Sequence, residues 1–177
     1  MNDLFGTRSL LPLAVLDELE NGARMSPEGN LCEVGVYRGG SALRLYKVAL
    51  DQGRRLFLYD TFAGIPYKDK MDQHEVGDFK DTSVEEIRWL MPKAEIKVGV
   101  FPMTLVDMTP ISFAHIDCDQ YASILASYSC LEPMMTQGGI MQFDDYFALD
   151  GARQAVDMFK SQHKHEVTKQ GKLRLYF

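Results

Sequence analysis

Apolar and polar positions along this chain switch between a helical and an extended period. Over residues 9–24, Leu10, Leu11, Ala14, Val15 and Leu19 fall on one side of a helix, with Pro12 tolerated in its first turn. Asn21-Gly22 and Ser26-Pro27-Glu28-Gly29 then mark a stop and a loop. Short apolar runs predict strands at 30–36, 55–59, 95–100, 112–116 and 140–143. Helical patterns at 41–52, 82–91, 121–135 and 150–161 separate them, and Gly53 is a suitable terminator for the first of these. Thr82 with Glu85, and Ser83 with Glu86, form two overlapping capping boxes; Pro92 ends that helix. Gln137-Gly138-Gly139 reads as a tight turn. Residues 165–169 and 173–177 alternate around Gln170-Gly171 and predict a terminal hairpin. Residues 61–79 form a long polar loop, a length that is usually functional or mobile.

Strands alternating with helices predict an α/β fold, a doubly wound and mostly parallel sheet covered on both faces, with an antiparallel edge from the hairpin. The 177 residues show no repeat, low-complexity tract or linker, so a single domain over 1–177 is expected. With 25 acidic against 19 basic residues the net charge is −6, which disfavours nucleic acid and anionic membrane as partners. No apolar run is long enough to span a bilayer, and Met1-Asn2-Asp3 does not begin a signal peptide. Cys32, Cys118 and Cys130 are odd in number and form no CxxC pair, which suits free thiols and a cytoplasmic setting.

The chemistry concentrates at strand ends. Leu31-Cys32-Glu33-Val34-Gly35-Val36-Tyr37-Arg38-Gly39-Gly40-Ser41 reads as a strand, a glycine turn and a helix start. Such a turn suits a ligand, since helix N-termini are anion sites; alternatively Gly35 and Gly39 serve only close strand–helix packing. Glu33 lies in an apolar run, where a carboxylate needs a partner. Asp60, ending the second strand, suits a ribose diol. A nucleoside-containing cofactor follows as the expectation. Asp117, Asp144 and Asp145 suit a hard cation such as Mg²⁺; the competing reading is that Asp117 or Asp119 caps the helix from Tyr121. His115 reads as a satisfied core histidine ahead of a catalytic one, and His74 has no assignable place.

Several stretches together resemble the macrocin O-methyltransferase family of class I S-adenosylmethionine-dependent enzymes. They are the segment 33–41, Tyr59-Asp60-Thr61-Phe62-Ala63-Gly64-Ile65-Pro66, Gly77-Asp78-Phe79 and Val98-Gly99-Val100-Phe101-Pro102-Met103-Thr104-Leu105. His115-Ile116-Asp117-Cys118-Asp119-Gln120-Tyr121, Phe143-Asp144-Asp145-Tyr146 and Gly151-Ala152-Arg153-Gln154-Ala155-Val156 complete the series, in family order. The resemblance implies a seven-stranded sheet of order 3-2-1-4-5-7-6. It implies that Glu33, Gly35, Tyr37 and Ser41, with Gly39 in the same turn, border the methionine part of S-adenosylmethionine. Asp60 then takes the ribose hydroxyls, and Thr61, Asp78 and Phe79 lie near the adenosine. Asp117, Asp144 and Asp145 hold Mg²⁺, and Asp119 is the general base. The implied reaction is methylation of a hydroxyl on a sugar-like or other vicinal-diol small molecule.

Two features depart from the family. Only about thirty residues precede the first strand, fewer than the family usually has, and Cys118 and Gln120 replace the commoner Val and Leu. The shorter start raises the expectation of a homo-oligomer in which a neighbour's N-terminal helix completes the pocket. The rival functions are an S-adenosylmethionine-binding protein without turnover and a nicotinamide-dependent oxidoreductase. Against the latter stand Tyr37 inside the glycine turn and the lack of a Tyr-x-x-x-Lys pair in a plausible place.

Overall fold

The structure, a computed structural model, describes residues 8–177; the reading of Met1-Asn2-Asp3 therefore lies outside the described residues. Seven strands form one sheet: β1 (Asn30–Val34), β2 (Leu56–Asp60), β3 (Glu95–Val98), β4 (Ile111–Ile116), β5 (Met135–Phe143), β6 (Lys164–Val167) and β7 (Leu173–Tyr176). Their spatial order is β3-β2-β1-β4-β5-β7-β6, as expected. The first five are parallel, and β7 pairs antiparallel with both β5 and β6. The helices are α1 (Leu13–Met25), α2 (Gly40–Gln52), α3 (Val84–Leu90), α4 (Tyr121–Leu131) and α5 (Asp150–Asp157).

Both faces of the sheet are covered, which explains why the central strands read as unbroken apolar runs. Leu19, Leu45, Val48, Ile87 and Met91 pack on Leu31, Leu58 and Phe113 on the α1/α2/α3 side. Ile124, Tyr128, Leu131, Val156 and Phe159 pack on Phe57, Tyr59, Met141 and Phe143 on the α4/α5 side. Among the described residues no helix is long and apolar enough to cross a membrane.

Where bounds differ from expectation the causes are local. Pro12 is the N-cap of α1 rather than a first-turn residue, and its carbonyl accepts from the amides of Val15 and Leu16. Of the two capping boxes Ser83 provides the cap, accepting from the Glu86 amide at 3.3 Å, while the Thr82 hydroxyl donates to the Tyr37 carbonyl. Helix α4 stops at Leu131 and tightens into a 3₁₀ turn, Glu132–Met134, at Pro133, which lacks the N–H that would continue it. The Gln137-Gly138-Gly139 stretch is no separate turn; it bulges within β5, so that Ile111 pairs with Met135 but Phe113 pairs with Ile140. Gly53 closes α2 at φ 67°, in the left-handed region.

Candidate active site

The carboxyl ends of β1, β2, β4 and β5 open into one cavity of about 350 Å³. Its floor is the turn after β1. Gly35 has φ +91°, its amide donates to the Tyr59 carbonyl at 2.9 Å, and a Cβ there would sit 1.8 Å from the Asp117 carbonyl oxygen. At Gly39, φ +83°, a Cβ would meet Ile87 at 2.7 Å. Packing against backbone thus demands Gly35, whereas at Gly39 the contact is the movable tip of Ile87 and the left-handed φ is what favours glycine. Gly35 also lines the cavity and Gly39 does not.

Asp60 organises this floor. One carboxylate oxygen accepts from the amides of Val36 (2.7 Å) and Tyr37 (2.8 Å), the other from that of Phe62 (2.7 Å). The Thr61 hydroxyl lies 3.5 Å from that second oxygen but donates more closely, at 2.7 Å, to the Gly64 carbonyl; since a carboxylate has about four lone-pair sites, the oxygen facing Phe62 keeps capacity for a ligand hydroxyl. Thr61, Tyr37, Ser41 and Phe79 line the cavity beside it. Tyr37 and Phe79 meet edge to face with centroids 5.5 Å apart. Among the described residues, the non-glycine positions with positive φ are Tyr37, Phe62, Phe79 and Asp119, and three of these four line the cavity. Such backbone strain clusters at functional sites.

Two expected cofactor residues lie off the lining for other reasons. Asp78 accepts from the Glu75 amide at 2.8 Å within the 61–79 loop. Glu33 is fully buried, and its Oε1 lies 2.7 Å from His115 Nδ1, one register row across from β1 to β4. His115 is thus the partner that a buried carboxylate requires. Burial alone would lower its pKa, but the carboxylates of Asp144 and Glu33 outweigh that and lift it to about 10.

Ligand oxygens of Asp117, Asp119 and Asp145 lie within 4.8 Å of one another. Burial, then repulsion from Asp144 and Asp145, raises Asp117 well above the carboxylate range. Burial and Asp145 push Asp119 up to about 8, and burial and Asp144 push Asp145 up to about 6. Carboxylates crowded in this way call for a cation, and oxygens of Asp144 and Asp145 are buried with no hydrogen-bond partner. Neither Asp117 nor Asp119 caps α4: Gln120 occupies the N-cap position, and the Tyr121 amide donates to Asp72 at 2.8 Å. The capping alternative is therefore not what the structure adopts. Asp144 also lines the cavity but is engaged elsewhere, with Lys172 Nζ 2.7 Å from Oδ2. Among the cavity residues to which the sequence assigned no site role, two carry basic side chains. His74, with Nε2 3.9 Å from Asp119 and its ring against Phe79, and Arg8, paired with Glu86 at 2.7 Å, both arrive from segments without periodicity.

Residues 13–170 match the family described as Macrocin-O-methyltransferase (TylF). The chain is 27% identical over 155 residues to the 8-demethyl-8-(2,3-dimethoxy-alpha-L-rhamnosyl)-tetracenomycin-C 4'-O-methyltransferase of Streptomyces olivaceus, covering 76% of this chain and 59% of that protein. It thus spans little more than half the length of that relative. The solved O-methyltransferase NovP superposes with a TM-score of 0.82 at 20% identity, over 96% of this chain and 81% of NovP. An O-methyltransferase from Bacillus cereus in complex with SAH gives 0.63 at 15% identity, over 97% and 86% of the two chains. These likenesses carry the fold, and the match running from the first turn of α1 into the terminal hairpin carries the family: the chain belongs to the macrocin O-methyltransferase family.

Proposed function

We propose that this chain transfers a methyl group from S-adenosylmethionine to a hydroxyl of a sugar-like or other vicinal-diol small molecule, assisted by Mg²⁺ or a similar divalent cation. The observation that carries the reading is the convergence on one cavity of the glycine turn held by Asp60 and the carboxylates of Asp117, Asp119 and Asp145. The residues fit both groups. The cavity is of the size that takes small ligands, Asp60 retains acceptor capacity for ribose hydroxyls, and the carboxylates supply the oxygen donors a hard cation prefers. The rhamnosyl substrate in the name of the Streptomyces olivaceus relative and the SAH bound by the Bacillus cereus neighbour favour the same reading. The three free thiols suit a cytoplasmic setting.

When bound, S-adenosylmethionine supplies an electrophilic methyl group and the cation acidifies a coordinated hydroxyl. Asp60, Thr61 and Phe79 hold the nucleoside end, and Tyr37 and Ser41 face the methionine end. Asp117, Asp144 and Asp145, which share one rim of the cavity, would hold the cation. Asp119, relieved of its own proton once a cation offsets the neighbouring carboxylates, would take the acceptor's hydroxyl proton, a base role that needs hydrogen-bond reach to the substrate and a pKa near the working pH. Tyr37 and Phe79, packed edge to face, give the cofactor side of the cavity an apolar wall.

Calorimetric titration with S-adenosylhomocysteine, followed by a methylation assay over a panel of vicinal diols with and without chelator, tests this. Binding of the nucleoside and cation-stimulated product formation are expected, with Asp117→Asn and Asp145→Asn losing turnover but keeping nucleoside affinity. Absence of binding overturns the reading. Full activity of both variants in chelator overturns the cation's part, and binding without product on any diol favours a protein without turnover.

A further inference from the structure

We propose that His74 recognises the acceptor, its Nε2 hydrogen-bonding the hydroxyl next to the one that Asp119 deprotonates. The inference rests on the reading of Asp119 as the base for a hydroxyl acceptor.

His74 lines the cavity with neither ring nitrogen hydrogen-bonded to another described residue. Nε2 lies 3.9 Å from Asp119 Oδ1 and Nδ1 lies 3.8 Å from Asp78 Oδ2, both too long for a hydrogen bond. That Asp78 oxygen already accepts from the Glu75 amide at 2.8 Å. An imidazole nitrogen donates or accepts according to its tautomer, so Nε2 offers a ligand hydroxyl a partner beside the base. The side chain is 32% exposed, which leaves it within a ligand's reach.

The separation suits a diol. Asp119 would meet the reacting hydroxyl at about 2.7 Å and His74 a second oxygen at about 2.9 Å. Neighbouring hydroxyls of a vicinal diol stand about a hydrogen-bond length apart. Base, two oxygens and imidazole therefore close a four-cornered figure whose longest side is the 3.9 Å gap. The reacting oxygen is not itself the target. It gives its proton to Asp119 and its lone pairs to the methyl carbon and the cation, so a further hydrogen bond falls to its neighbour.

The fold sets this gap. Asp72 precedes His74 by two residues, and its Oδ1 accepts at 2.8 Å from the amide of Tyr121, two residues after Asp119. One hydrogen bond thus ties the segment carrying the imidazole to the helix start that follows the base. A Cβ on Gly151 would meet the same Asp72 oxygen at 2.7 Å, so α5 closes on the tie as well. Phe79 orients the ring, with centroids 4.9 Å apart and planes at 72°.

Methyl rhamnoside, chosen for the rhamnosyl group in the name of the Streptomyces olivaceus relative, and its singly deoxygenated derivatives serve as acceptors. The reading is kcat/KM at saturating S-adenosylmethionine and Mg²⁺ for the full chain and its variants. His74→Phe keeps a ring against Phe79 and removes both nitrogens. It should lower kcat/KM on the rhamnoside about tenfold, mainly through KM, as loss of one binding hydrogen bond does. On the derivative lacking the neighbouring hydroxyl the loss should stay under about twofold, because the contact is already gone. His74→Gln, whose amide donates and accepts, should recover part of the loss. Affinity for S-adenosylhomocysteine, by calorimetry, should move no more than about twofold in either variant. An equal loss on the rhamnoside and every derivative, or no loss on any, overturns the proposal and leaves methyl transfer standing. Full turnover by Asp119→Asn overturns the base reading and the proposal with it. Binding of S-adenosylhomocysteine without product from the rhamnoside overturns the proposal together with the sugar-like acceptor. If circular dichroism finds His74→Phe misfolded, His74→Ala takes its place in the comparison.

Discussion

At the scale of single residues the site depends on two groups whose work is to hold the strands that carry it. Gly35 is the tighter constraint. An added Cβ would collide with the Asp117 carbonyl, and φ +91° is strained for any L side chain. Gly35→Ala should therefore lower stability by about 3 kcal/mol, measured by urea denaturation, since the neighbour is backbone and overpacking adds to conformational strain. Glu33 is the second group. An apolar strand containing one carboxylate announces a buried partner, but His115 lies far along the chain and meets Glu33 only because β1 and β4 are adjacent. Its partner was thus not legible in the sequence, and the resemblance pointed Glu33 at the cofactor instead. Glu33→Gln should cost about 3 kcal/mol, the price of leaving the buried imidazolium poorly compensated, yet change S-adenosylhomocysteine affinity by no more than about twofold in calorimetry, because Glu33 does not reach the cavity. A large loss of affinity at unchanged stability would restore it to the binding site.

At the scale of elements, the alternation of strands and helices was readable because each strand of a covered parallel sheet must be apolar throughout, and glycine, proline and capping residues punctuate the rest. The five-residue discrepancy in β5 was not, because Gly138 at φ +77° permits a bulge as readily as a turn, and the choice lies with the register to β4. The loop over residues 61–79 shows the same dependence on distant partners. Its length made it look functional or mobile, and it does bring His74 and Phe79 to the cavity. Yet it is pinned: Asp72, 8% exposed, accepts from the Asp69 amide (2.8 Å) within the loop and from Tyr121 (2.8 Å) at the start of α4. Asp78 and Ile65 close its base through backbone hydrogen bonds. Asp72→Ala should cost about 1–2 kcal/mol, one orphaned helix-terminal amide and one lost loop bond. Hydrogen exchange should accelerate across residues 66–79 while β4 and β5 keep their protection; acceleration throughout the sheet would mean that Asp72 supports the core rather than the loop.

At the scale of the whole molecule, the strand order came from the resemblance, since periodicity alone does not say which strands are neighbours. The consequence of that order is electrostatic. A sheet of order 3-2-1-4-5-7-6 brings the ends of β4 and β5 side by side and gathers Asp117, Asp119 and Asp145 within reach of Asp144 and Asp60, with Lys172, His115 and His74 as the facing bases. The folded state therefore holds protons that the unfolded chain releases. Asp119, raised from its ordinary range near 4 to about 8, and Asp145, raised to about 6, each contribute stability that is fully present below the unfolded value and is lost as pH rises through the folded one. His115, raised to about 10, adds a loss of the same sign from its ordinary value near 6.5 upward, whereas Asp144, held low by His115 and Lys172 despite burial, matters only in acid. The cation-free chain should accordingly melt at progressively lower temperature between about pH 5 and pH 8. A divalent cation competes with those protons and binds only the assembled site, so Mg²⁺ or Mn²⁺ should raise the melting temperature more at pH 8 than at pH 6. Differential scanning calorimetry at the two pH values, with and without cation, separates this from a general salt effect, which a monovalent salt at matched ionic strength would reproduce. A melting temperature that is flat or rises across that interval without cation would mean that the three carboxylates do not share a site in solution.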